Sequence, residues 1–185
     1  MCIESKKSNE TIVWYAMSAP YRNEKRAKNL LEDNGIETFL PMRYEITNNK
    51  LGGKIRKLVP AISNLIFAHT THSKIQEVKR GVKYLQYKVR PENGKNIPII
   101  VPDEQMSQFI TVCNTHNEQL IYLKPEEVNL AKGKRVKVIG GQFDGVEGSF
   151  VQVKGKRQRR VIVIIPDIAA VATTEITDGM IEVLE

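Results

Sequence analysis

The sequence predicts an α+β protein in two units: a sandwich of helices on an antiparallel sheet over residues 10–117, a linker over 118–131, and a small β-barrel over 132–185. Three observations predict it. Helix-like and strand-like periods alternate through the first 113 residues in the order β-α-β-β-α-β-α. The period lapses between about 115 and 134, where the chain turns polar around Pro125. Beyond Lys134 every apolar run is short and bounded by glycine or polar turns, as in small barrels.

The run "TIVWYAM" (11–17) is β-branched and aromatic, a strand that Pro20 stops. "NEKRAKNLLEDNG" (23–35) reads as a helix: Asn23 suits the cap, Ala27, Leu30 and Leu31 share a face, and Gly35 suits the stop. "IETFLPMRYEI" (36–46) reads as a second strand, with Pro41 marking an edge or bend. Residues 47–57 read as a basic loop or hairpin tip around Gly52-Gly53. "LIFAH" (65–69) is a third strand, "SKIQEVKR" (73–80) a short helix, and "VKYLQYKV" (82–89) a fourth, alternating strand. In "DEQMSQFITVC" (103–113), Met106, Phe109, Ile110 and Cys113 fall on one helical face. Five short strands are expected near 135–139, 149–153, 160–165, 168–172 and 180–184.

Composition narrows the function. Of 185 residues, 41% are hydrophobic and 26% charged, which argues against disorder throughout. No apolar run is long enough to span a membrane, and the polar start "MCIESKKSNE" does not resemble a secretory signal. A cytoplasmic monomer is expected. The net charge of +7 points to a polyanionic neighbour, and most of the surplus lies in the first 130 residues, with 19 basic groups against 14 acidic. Cys2 and Cys113 are expected to be structural, and with three scattered histidines they have no metal-ligand spacing. Neither metal nor cofactor is expected. No nucleophile–base pair or paired acidic motif suggests an enzyme, and His69, His72 and His116 read as loop and strand-end groups.

"VKVIGGQFDGVEGSF" (136–150) crowds four glycines into strand-like sequence. No Gly-Lys-Ser/Thr follows and the next element is a strand, so a phosphate cradle lacks its helix N-terminus. The glycines read as turn chemistry: Asp144-Gly145 in a tight turn, and Gly140, Gly141 and Gly148 where a barrel corner would crowd a Cβ.

These stretches resemble a known family. "GKRVKVIGGQFDGVEGSFVQV" (133–153), with Gly141, Gly145 and Gly148 in "GxFxGxxG", looks like the KOW motif. "WYAMSAPYRNEKRAKNLLEDNGIETFLPM" (14–42) resembles the opening of the N-terminal domain of NusG-type transcription elongation factors. Both halves occur in the family's order.

The resemblance implies a factor that rides on RNA polymerase, gripping its clamp through the N-terminal domain and suppressing pausing and termination without covalent chemistry. It places the polymerase-facing apolar surface near Trp14, Tyr15, Phe39, Leu40, Pro41, Leu65 and Phe67, with Tyr15 and Phe67 as expected exposed anchors and alternate members as core. "VPAISNLIFAH" (59–69) departs from the family pattern in carrying Asn64-Leu65 where Gly-Tyr is usual. "KRGV" (79–82) is similar to RfaH-like paralogues, including antiterminators of polysaccharide operons. "HTTHS" (69–73) resembles the segment of those paralogues that meets the polymerase gate loop, assigning His69, Thr70, Thr71, His72 and Ser73 to that contact. Helix capping by Thr71 or Ser73 is the alternative.

Arg22, Lys25, Arg26 and Arg80, with Lys28 at the periphery, are the candidate contacts to non-template DNA; a solvated helix face is the alternative. The resemblance also implies that the KOW domain recruits a partner such as a ribosomal protein. Ile165-Pro166-Asp167 replaces the loop phenylalanine of housekeeping members, which argues against binding Rho. The basic run 154–160 suits either an RNA contact or a solvated turn. The Val- and Ile-rich strands predict a permanent barrel rather than a helical switch. A KOW-type RNA-binding protein of the translation apparatus is the competing reading, and it leaves the Trp-Tyr strand unexplained.

Overall fold

The computed structural model describes residues 11–48, 52–124, 127, 133–152 and 158–184. The first sheet is antiparallel and centred on β1 (Val13–Ser18), which pairs with β5 (Ile66–Thr70), β6 (Gln86–Tyr87) and β9 (Ile100–Val101); β2 (Glu37–Phe39) flanks β5. Alternation along β1 sends Trp14 and Ala16 to one face with Leu65 and Phe67, beneath Met106, Phe109 and Cys113 of α3 (Asp103–Asn114). Tyr15 and Met17 go to the other face, against Ala27 and Leu31 of α1 (Glu24–Asp33) and Ile75 of α2 (His72–Lys79). Both faces of the sheet are therefore covered.

Helix ends follow the local chemistry. Gly35, at φ +66, closes α1 with hydrogen bonds from Gly35 N to Glu32 O and from Ile36 N to Leu31 O, a Schellman stop. Thr71 caps α2, its hydroxyl accepting from Lys74 N at 3.4 Å.

The expected strand 36–46 divides at Leu40-Pro41. Its second half, β3 (Met42–Asn48), leaves the sheet and pairs with β4 (Lys54–Pro60) in a long hairpin running from Met42↔Pro60 to Asn48↔Lys54. Residues 47–57, read as a loop or hairpin tip, are the far end of this hairpin, and its second arm is strand that the sequence reading did not expect. Interspersed Lys, Arg and Glu obscured it, because a hairpin exposed on both sides needs no apolar alternation. The expected strand 82–89 shrinks to β6. Beyond it, β7 (Val89–Glu92) and β8 (Lys95–Pro98) form a hairpin around Asn93-Gly94, both at positive φ. That Asn-Gly pair was the available signal for the hairpin.

The second sheet has the order β10-β14-β13-β12-β11-β15, from β10 (Ile121–Leu123), β11 (Lys134–Val138), β12 (Glu147–Gln152), β13 (Arg159–Ile165), β14 (Ala169–Ala172) and β15 (Ile181–Val183). It curls round Val136, Phe143, Phe150, Val161, Val163 and Val171. Among the described residues its end strands, β10 and β15, do not pair with each other. Residues 121–123, expected as linker, are instead an edge strand on β14. Just before this strand a buried cation ties the chain to the same sheet: Arg160, 7% exposed, donates to Thr173 O and, at 2.9 Å, to Gln119 O.

The glycines divide by role. Gly145, at φ +80, completes a turn closed by Val146 N to Phe143 O. Gly148 lies inside β12, where a Cβ would sit 2.5 Å from Ile162 O.

Candidate functional site

The apolar set does not form an open concavity. Tyr15 and Phe67, expected as exposed anchors, are 4% and 0% exposed; Trp14, Leu40, Pro41 and Leu65 are also buried, and Phe39 is half-buried. With helices on both faces of the sheet, the two faces of β1 and β5 become core. Phe39, Phe67 and Phe109 interlock at ring-centroid separations of 5.9–6.4 Å. The second sheet adds cover: α3 rests on β13, and Gln108 Oε1 accepts from Glu147 N at 3.0 Å. Asp167 and Ile168 line a cleft with Ser18, Tyr87 and Ile99, bringing the turn after β13 to the end of β1.

The 69–73 segment is split by its surroundings. His69 stacks on Trp14, with centroids 4.6 Å apart and planes 9° apart, and its Nδ1 lies 2.7 Å from Glu37 Oε2. Thr70 is buried and Thr71 serves as the cap. His72 and Ser73 are exposed at the start of α2, where His72 stacks against Tyr87. Burial, with a contribution from Tyr15, pushes the Tyr87 hydroxyl up from 10.0 to about 12; Lys79 lies 3.9 Å over the same ring.

Asn64 takes φ +58, a left-handed turn that its short amide tolerates. Its N–H donates to Glu24 Oε1 at 2.7 Å, so this buried carboxylate ties α1 to the start of β5.

The basic residues form two groups. Arg26 lies 4.3 Å over the Tyr84 ring, on the stretch that follows α2 and its C-cap, Arg80; both arginines are exposed. Gly81, next to Arg80, turns the chain at φ +85. Arg22 and Lys25 instead face the β3–β4 hairpin across a cleft of about 520 Å³, and Lys25 Nζ donates to Leu58 O at 3.1 Å. Arg43 and Lys57 line its other wall. Sequence reading placed Arg43 on a strand and Lys57 in a hairpin tip or loop, and missed the wall because it did not pair the two arms. Most of the basic run 154–160 lies outside the described residues, as does Cys2.

Compared with known families, residues 12–110 match the family described as transcription termination factor NusG. The chain belongs to the NusG family. The match spans β1 to α3 and therefore includes the cleft and both basic groups. Among solved structures the chain is similar to NusG of Thermotoga maritima, whose structure concerns the interaction of its domains. The identity is 19%, over 95% of this chain and 98% of that one, with a TM-score of 0.46. A search of curated proteins gives no match. Among the described residues no helix is long and apolar enough to cross a membrane, and no group of His, Cys, Asp and Glu is arranged to hold a metal ion.

Proposed function

We propose that this NusG-family protein is an elongation and antitermination factor that binds the RNA polymerase clamp through its N-terminal unit, residues 10–117. The observation carrying this reading is the family match over residues 12–110, the half of the chain that the competing translation-apparatus reading leaves unexplained. The factor acts by binding the closed, elongating polymerase more tightly than the paused form; only such differential affinity shifts the equilibrium. Phe39, His72 and Ser73 supply accessible surface, and the buried members of the apolar set fix the shape behind them. His72-Ser73 is the gate-loop contact, with Thr71 holding the helix that presents it. Exposed Arg26 and Arg80 contact non-template DNA.

The resemblance of "KRGV" to RfaH-like paralogues supports action on particular operons, such as those for polysaccharide synthesis. The KOW unit, 132–185, recruits a ribosomal protein and not Rho. The protein works as a monomer in the cytoplasm.

The test is a purified transcription assay. Core polymerase should retain the protein on a column and read further through pause and stop signals in its presence. Absence of both effects refutes the proposal. Occupancy of nearly all genes in cells, instead of a few operons, refutes the specialist part alone.

A further inference from the structure

The β3–β4 hairpin is a ribbon that, among the described residues, pairs with no other strand. Two strands alone are marginally stable in water, so contacts on its faces must fix its direction. Period 2 assigns those faces. Arg43, Glu45, Lys57 and Val59 turn towards α1, where Lys25 Nζ donates to Leu58 O. Tyr44 and Arg56 turn the other way, towards the chain that leaves α3.

That chain meets the hairpin at His116, Glu118 and Tyr122. The Arg56 guanidinium lies 3.7 Å over the Tyr44 ring and pairs with Glu118 at 2.7 Å. His116 ends α3 at φ +46, a position usually given to glycine, and its ring stands 6.3 Å from that of Tyr44. Glycine would make the stop; only a side chain can meet Tyr44. Nearer the base, the Tyr122 hydroxyl donates to Met42 O at 3.4 Å. The same segment is fastened to the second sheet. Residues 121–123 are the edge strand on β14, from Ile121↔Ala172 to Leu123↔Ala170. Ile121 and Leu123 pack with Val151 and Ile162, while Tyr122 alternates to the opposite core, and Arg160 holds Gln119 O.

One short length of chain is thus shared between a hairpin and a sheet that do not pair with each other. We propose that residues 116–123 are a strap that couples the two. While 121–123 stay on β14, His116 and Glu118 are held against Tyr44 and Arg56, and the hairpin keeps its direction. When the strand leaves β14, this latch opens and the hairpin swings, carrying Arg43 and Lys57 on its other face away from α1. The weak point is β10, a short edge strand of half-buried residues, the kind of element that opens before the core does. An ion pair as exposed as Arg56–Glu118 contributes little alone, so the latch closes only where the strap is already held. Such coupling is reciprocal: freeing the hairpin must loosen β10 as well.

Both directions are measured on the full chain in a Cys2→Ser background, where buried Cys113 stays unlabelled. Spin labels at Asn29→Cys on α1 and Asn48→Cys at the far end of β3 report the hairpin's direction as a distance distribution, and hydrogen exchange reports the hold on residues 121–123. Arg56→Ala should raise exchange at 121–123 about fivefold, the combined worth of one cation–π contact and one exposed ion pair. Arg56→Lys, which keeps the charge and loses the planar stack, should fall between. Arg90→Ala removes an ion pair of the same kind from the β7–β8 hairpin and should leave 121–123 unchanged. In the other direction, I121D/L123D sets carboxylates against Val151 and Ile162, and should both speed exchange at 121–123 and broaden the label distances.

If Arg56→Ala leaves exchange at 121–123 at the parent's rate, or Arg90→Ala raises it as much, there is no latch. If I121D/L123D frees the strand while the label distances stay those of the parent, α1 alone holds the hairpin and the strap is overturned. A response in one direction only refutes it too, because linkage is reciprocal. Unchanged exchange over β11–β13 separates opening of the strap from unfolding of the second sheet. Should the double variant unfold that sheet, Arg160→Ala, which releases Gln119 O without adding a charge, takes its place in the distance measurement.

Discussion

Replacing Gly148 by alanine tests whether this glycine is a turn residue or a point of close contact. An alanine Cβ would lie 2.5 Å from Ile162 O, 2.8 Å from Val161 Cγ1 and 3.0 Å from Ile162 C. Ordinary contact begins at 3.4 Å, so the carbonyl must retreat by about 0.9 Å. It belongs to the β12–β13 ladder, where Ser149 faces Ile162 and Phe150 faces Val161, and both Val161 and Ile162 are buried. The strand can retreat only by disturbing that ladder and the core behind it. The cost falls at the upper end of overpacking, about 3 kcal/mol. At roughly 2–4 °C per kcal/mol for a chain of this size, the thermal midpoint should drop by about 6–12 °C. Gly145→Ala is the control: nothing lies within 4 Å of its Cβ, and only the strain of φ +80 remains, about 1 kcal/mol. Circular dichroism melts of both variants decide the matter. If Gly148→Ala melts within 2 °C of the parent, or no lower than Gly145→Ala, the close-contact reasoning is wrong.

Other consequences are equally open to test. Burial pushes the Cys113 thiol up from 9.0 to about 12, so above pH 9 the unfolded chain releases a proton that the folded chain keeps; stability should fall as pH rises from 9 towards 12, and Cys113→Ala should reduce that fall in melts at pH 8 and 10. In a Cys2→Ser background, Cys113 should resist alkylation at pH 8 until the protein unfolds. Thr71→Ala should cost about 1 kcal/mol through the lost cap and Thr71→Asp should restore it; if Thr71→Asp is stable but fails to retain polymerase, the hydroxyl has a contact role besides the cap. Arg160→Ala leaves Thr173 O and Gln119 O without their donor and should cost roughly 2–3 kcal/mol, with amide exchange rising first over residues 119–123. Unchanged exchange there would show that β10 holds without Arg160.

The sequence by itself determined the units whose signals are local. The periods of α1 and α3, the left-handed Gly35 that stops α1, the cap before α2 and the five glycine-spaced strands after Lys134 can each be read within about a dozen residues. The family resemblance was likewise legible, because its motifs are contiguous. What depended on distant partners was decided only by the tertiary structure. Period 2 sent Tyr15 and Phe67 to opposite faces, but only the helices packed on those faces made both residues core. Residues 121–123 became strand because β14 offers them an edge to pair with, a partner not visible in their own letters. The basic residues were plain from the start. That Arg22 and Lys25 face Arg43 and Lys57 is a product of the hairpin folding back along α1. Charge is a property of residues, whereas a cleft is a property of the path the chain takes.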